Sequence, residues 1–186
     1  MRQRRIIALA AAMLGCSALA NTPSAHLQLE SPTLAPGATV PLAQIYDRLG
    51  CRGKNVSPAL RWSGAPAATR SFAVTVFDPD APTGAGWWHW LVYDIPPSVS
   101  ELPEGAGNPG GKLPPGSVQG HNDFGSAGYG GPCPPRDDKP HRYVFTIYAL
   151  KTDSIEASPA SGAARIGTVL DANALAKASF TALYGR

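Results

Sequence analysis

Ser71-Phe72-Ala73-Val74-Thr75-Val76-Phe77, halted by Asp78-Pro79-Asp80-Ala81-Pro82, sets the architecture. Phe72, Val74 and Val76 alternate with Ser71, Ala73 and Thr75, and β-branched and aromatic residues dominate, so the run is a strand. The acids and prolines behind it form a turn. Downstream, residues 88–95 are nearly all apolar, as expected of a strand buried on both faces, and Pro96-Pro97 ends them. Residues 142–150 alternate again, with Tyr143, Phe145 and Ile147 on one face and Val144, Thr146 and Tyr148 on the other.

Between the second and third strands, residues 96–140 hold ten Gly and ten Pro in 45 positions. Such a composition suits a linker. His121, Phe124, Tyr129 and Cys133 are spaced through it, however, and no second domain of useful size follows, so an ordered loop folded back on the sheet is expected. Upstream, Pro23, Pro32, Pro36 and Pro41 keep residues 21–45 extended. At the other end, Asp171 is placed to cap a helix over 172–184, and a weaker helical pattern lies near 160–170, interrupted by Gly162 and Gly167. Strands first and helices last predict an α+β, mainly β fold with a mainly antiparallel sheet.

The chain has 186 residues, 44% apolar and 16% charged, with 20 Gly and 19 Pro. That is one domain, too rich in helix breakers for a bundle and too apolar for disorder. The formal charge of +3 comes from Arg2, Arg4 and Arg5; beyond residue 20 the remaining 13 basic residues match the 13 acidic ones. A neutral body gives no reason to expect a nucleic-acid partner. The three arginines precede an apolar run at 6–14 and Ala18-Leu19-Ala20, the three parts of a secretory signal. Residues 1–20 are expected to be removed, leaving a single domain over 21–186, periplasmic or secreted, with no transmembrane segment. Met13-Leu14-Gly15-Cys16 is a poorer match to a lipoprotein box and offers a second exit. In an oxidising compartment Cys51 and Cys133, the two cysteines of the body, are expected to pair; the alternative is two separate thiols.

Several motifs fall away on context. Gly105-Ala106-Gly107-Asn108-Pro109-Gly110 has G-x-G-x-x-G spacing but follows no strand and opens no helix, so it cradles no phosphate. No G-x-S-x-G elbow or C-x-x-C pair occurs, and neither a cofactor nor a structural metal is expected. Chemistry-bearing residues gather at strand ends instead. Asp78 and Asp80 follow the first strand, His89 opens the second, and His141 and Tyr143 open the third on one face, roughly 6–7 Å apart. If the strands are neighbours, these side chains converge, walled by Trp87, Trp88 and Trp90. Carboxylates that orient imidazoles would leave N–H donors facing outward, and a phenol beside them suits the oxygens of a phosphate or carboxylate.

The sequence here resembles the phosphatidylethanolamine-binding protein family, in particular its bacterial Raf-kinase-inhibitor-like branch. Asn55-Val56-Ser57-Pro58-Ala59-Leu60-Arg61-Trp62 is similar to that branch's N-x-S-P-x-L-x-W stretch. Asp78-Pro79-Asp80-Ala81-Pro82 with His89-Trp90, and Gly131-Pro132-Cys133-Pro134-Pro135 with His141-Arg142-Tyr143, resemble the two family signatures. The likeness runs from about residue 27 onward. It implies a large antiparallel sheet packed on a smaller one with C-terminal helices. It also implies a pocket for phosphorylated head groups formed by Asp78, Trp87, His89, His141 and Tyr143, with Asp80 fixing the turn. Cys133 stands in the pocket loop where eukaryotic members have glycine, and a bridge to Cys51 would stiffen that loop.

The function expected is an exported, non-catalytic binding or inhibitor module for a small phosphorylated or anionic ligand such as phosphorylethanolamine, bound more tightly in mild acid by cationic imidazoles. Kinase inhibition, the family's best-known role, is not carried over to an exported bacterial protein. Two alternatives use the same residues differently. One is a hydrolase in which His89, His141, Asp78 and Asp80 shuttle protons, or a metal-dependent enzyme holding its ion through His89, His141 and Asp78. The other is an inhibitor of a protease or kinase acting through the Gly/Pro-rich loop.

Overall fold

The computed structural model describes residues 26–186. The secretory signal expected at 1–20, with Cys16, lies outside the described residues. Eight strands and one helix follow in the order β1 (Gln28–Glu30), β2 (Leu60–Ser63), β3 (Ser71–Asp78), β4 (Trp87–Ile95), β5 (Glu101–Leu102), β6 (Val118–Gln119), β7 (His141–Leu150), α1 (Ala163–Asn173) and β8 (Ala174–Tyr184). They form two antiparallel sheets, a small one ordered β1-β2-β5 and a large one ordered β6-β4-β3-β7-β8.

The central strand β3 is buried on both faces because it separates two apolar clusters. Phe72, Val74 and Val76 pack toward Leu60, Trp62 and Leu102 of the small sheet. Ala73, with Leu91, Tyr93, Tyr148 and Leu150, packs toward Ala163, Ile166 and Leu170 of α1. Each Val, Leu, Ile or Phe side chain hidden this way stabilises the fold by roughly 1.5–3 kcal/mol. The period-two pattern of β3 therefore specifies a layered molecule: small sheet, large sheet, helix.

The C-terminal segment differs from the helix expected there. Residues 172–184 are almost entirely strand, and the weaker helical pattern just before them is the true helix, the only one among the described residues. Alanine-rich composition masked a period of two, in which Ala176, Ala178, Phe180 and Ala182 face inward while Leu175, Lys177 and Ser179 face out. Pairing with β7 along its whole length, from His141↔Tyr184 to Leu150↔Ala174, overrides helix propensity. Phe180 stacks on Phe145, ring centroids 4.9 Å apart. Gly167 does not break α1; it is required there, since a Cβ would lie 2.7 Å from the Trp88 ring.

The outer edge of β8 is partly occupied. Residues 37–40 run beside it, with Gly37 N–H donating to Thr181 O, Leu183 N–H to Ala38 O and Val40 N–H to Leu183 O. The Gly/Pro-rich segment between β4 and β7 is ordered, as expected. Gly131 lets its turn approach the 44–46 backbone, where a Cβ would sit 2.1 Å from Gln44 O.

Candidate functional site

The order β4-β3-β7 makes the three chemistry-bearing strands immediate neighbours. Asp78 pairs with Trp87 across β3 and β4, and Phe77 with Val144 across β3 and β7, which brings Tyr143 alongside Asp78. Alternation along β7 turns His141 and Tyr143 inward and leaves Arg142 exposed.

Asp78 is 3% exposed and fully engaged. One carboxylate oxygen accepts His141 Nδ1–H at 2.8 Å, and the other accepts the Asp80 backbone N–H at 2.8 Å. Asp80 accepts from Arg142 three times, from the backbone N–H and the guanidinium Nε and Nη2, at 2.7–2.9 Å. Those bonds hold its carboxyl down at about 2.

His89 differs from the expectation that both imidazoles rest on carboxylates. Its Nδ1 lies 2.6 Å from Gly130 O. A carbonyl only accepts, so Nδ1 carries the hydrogen and Nε2 presents a lone pair. Burial lowers the His89 pKa to about 4, partly offset by the Gly130 carbonyl and the Asp78 charge. At neutral pH this imidazole is uncharged.

Tyr143 is completely buried, and its hydroxyl has no hydrogen-bond partner. Burial, with Asp78 alongside, pushes its pKa upward, though the carboxylate does not meet hydrogen-bond geometry with it. Trp87 Nε1 is likewise buried and unpartnered. An unpaired donor away from water costs about 1–3 kcal/mol, so two in residues of one wall call for an explanation.

The site is a hollow of about 190 Å³, smaller than pockets for drug-sized ligands. Asp78, Trp87, His89, Cys133, His141 and Tyr143 all line it, with Leu49, Pro82, Pro134 and Pro135 among the apolar residues around them. Cys133 is bonded to Cys51, Cα atoms 6.0 Å apart, which fastens the loop carrying Leu49 to the loop carrying Pro134. Asp80 is not among the lining residues; it faces a neighbouring hollow shared by Asp138, Lys139, Pro140, His141 and Arg142. Of the three tryptophans expected as walls, only Trp87 serves. Trp88 packs on Phe77, and Trp90 is in the core, donating to Gln119 Oε1 at 2.8 Å.

Phe124 was not anticipated as part of the site. Its ring meets Trp87 and His89 edge-on, each at 5.4 Å, and stacks on Tyr46 at 4.4 Å. Asp123 holds it there by accepting Trp88 N–H at 2.7 Å and donating its own N–H to Trp88 O. Asn122 helps, its side-chain oxygen accepting Phe124 N–H at 3.0 Å. The signal was an Asn-Asp-Phe-Gly turn, which by itself names no ligand.

The model of the family described as phosphatidylethanolamine-binding protein matches residues 30–185. The chain belongs to this family. The UPF0098 protein YbcL of Escherichia coli is 51% identical over 162 residues, covering 87% of this chain and 88% of the relative. The UPF0098 protein YbhB of the same organism is 40% identical, covering 85% of this chain and 99% of the relative. The crystal structure of E. coli YbcL, described as a new member of the mammalian PEBP family, superposes with a TM-score of 0.85 at 50% identity, covering 87% of this chain and 99% of that one. Family and two-sheet architecture thus agree with the sequence reading.

Proposed function

We propose that this PEBP-family chain is an exported binding module whose hollow holds a small phosphorylated or otherwise oxyanionic head group. The observation that carries the reading is the pair of unpartnered donors, Tyr143 Oη–H and Trp87 Nε1–H, in residues lining one small hollow with His89. Ligand oxygens would satisfy both donors. His89 Nε2, left as an acceptor, would take a hydrogen from the ligand, which suits a phosphate monoester that keeps one proton. Membership of a family named for binding a phospholipid supports the same ligand chemistry. The basic, apolar and small-residue parts of the first 20 residues support export.

The hydrolytic and metal readings have less behind them. A nucleophile must sit beside a base, yet the Tyr143 phenol is held in its neutral form by burial, and both nitrogens of His141 face carboxylates. For a metal, no group of three or more His, Cys, Asp or Glu side chains placed to hold an ion occurs among the described residues.

Calorimetric titration with phosphorylethanolamine and inorganic phosphate tests the proposal. Binding should weaken on His89→Ala and on Tyr143→Phe; affinities unchanged in both variants would remove the site. The pH dependence discriminates further. His89 gains charge only near pH 4, so the hydrogen it accepts must come from the ligand, whose second ionisation lies near pH 6. Affinity should fall as pH rises from about 6 to 8, and a rise over that interval would refute this hydrogen-bond assignment.

A further inference from the structure

We propose that Asp138 is a built-in competitor for the outer ring nitrogen of His141 and thereby disfavours plain anions relative to ligands that carry an ammonium group. This rests on the anion-binding reading above and specifies its selectivity. His141 is a wall shared by two hollows, the inner one and an outer one of about 450 Å³. Its Nδ1 is committed to Asp78 at 2.8 Å, and its Nε2 lies 3.4 Å from Asp138 Oδ2. Nε2 donates only when both ring nitrogens of His141 carry a hydrogen; in that form a nitrogen facing a carboxylate is lost as a donor to an arriving phosphate, and in either form the carboxylate's own charge repels that phosphate.

The contact is placed so that it can yield. At 3.4 Å it is longer than the 2.7–2.9 Å usual for a charge-assisted bond, and the Asp138 side chain is 42% exposed. Among the described residues its one ion-pair partner is His141. The other charges lining the outer hollow are Asp80, Lys139 and Arg142, and Asp80 and Arg142 are consumed by each other. The preceding residue, Asp137, is tethered by its N–H to Arg186 O at 3.1 Å, so the turn stays anchored while the Asp138 side chain can swing. A bare phosphate must push the carboxylate aside and leave it uncompensated. A ligand with an ammonium group beside its phosphate gives Asp138 a new partner as His141 Nε2 is released.

Isothermal titration at one fixed pH, on wild type, Asp138→Asn and Asp137→Asn, tests this with inorganic phosphate and phosphorylethanolamine as probes. Asp137→Asn removes the same charge from the same turn without touching His141. The expected result is inorganic phosphate bound about three- to tenfold more tightly by Asp138→Asn, from the loss of one partly screened charge. Phosphorylethanolamine should gain nothing, and Asp137→Asn should stay within about twofold of wild type on the same screening argument. In the unliganded protein the Nε2 15N signal of His141 should move on Asp138→Asn. Equal gains in the two variants would reduce the effect to bulk charge and overturn the proposal. So would equal gains for the two probes, no gain at all, or an unmoved Nε2 signal. Wild-type binding with no response to Asp138→Asn would sink the competitor alone. Absence of anion binding in every variant would sink the pocket and the competitor together.

Discussion

Arg142 and Tyr143 are consecutive on β7, and their surroundings are opposite in kind. Arg142 turns outward and meets Asp80 through three bonds to one carboxylate, so every strong group there has an answer within the chain. Tyr143 turns inward to a wall where its hydroxyl and the Trp87 indole have none. The outer pairing is closed structure. The inner wall carries an unmet demand for hydrogen bonds, which marks a place prepared for something from outside. One step along a strand therefore separates a polar group used for the fold from one held in reserve.

The largest test of that contrast removes the fastening of the inner hollow's mouth. Cys51→Ser with Cys133→Ser opens a loop spanning 82 positions, and should cost roughly 4–5 kcal/mol of stability, measured by urea unfolding. Inner-site binding should weaken with it, because Cys133 and Leu49 line the hollow on the two fastened loops. A double variant as stable as wild type would mean that the layers hold the mouth unaided.

Burial of neutral His89 is the next largest effect. Its folded-state pKa, near 4, lies below the ordinary 6.5, so the unfolded chain takes up a proton first as pH falls. The stability this group contributes is fully present above about pH 6.5 and is lost between there and pH 4. The loss is at most about 3 kcal/mol. Denaturant midpoints across that interval should slope accordingly in wild type and slope less in His89→Ala. Equal slopes would show that the imidazole charges within the fold.

A smaller pair of changes sharpens the contrast directly. Tyr143→Phe should leave stability near wild type, since the lost hydroxyl has no partner, while phosphate affinity falls about tenfold. Arg142→Ala should do the reverse, with a small drop in melting temperature that shrinks further in salt, and little change in affinity. Exchanged outcomes would mean that the inner and outer roles have been assigned the wrong way round.

Much of this was legible in the chain, for reasons that differ by element. The strands β3, β4 and β7 announced themselves because a sheet buried on both faces demands apolar runs that turn residues must end. Their polar ends form one site only if the strands are neighbours, and the observed order places them so. β8 was misread because an alanine-rich segment satisfies helix and strand alike until a partner strand decides, and β7 was that partner. Phe124 and Asp138 sit in turns whose paths depend on distant contacts, with Trp88 for one and His141 for the other, so local sequence could not aim them. The Gly130 carbonyl under His89 was invisible for a simpler reason: backbone acceptors leave no letter in a sequence.

The short run at 37–40 beside β8 bears on how the molecule behaves in a crowd. An uncovered strand edge is a template onto which another chain can knit. With those four residues in place, the amide of Leu183 and the carbonyls of Thr181 and Leu183 are already taken. A version trimmed past residue 40 would lose β1 as well and bare those groups, and its characteristic fault would be chains stitching edge to edge at high concentration.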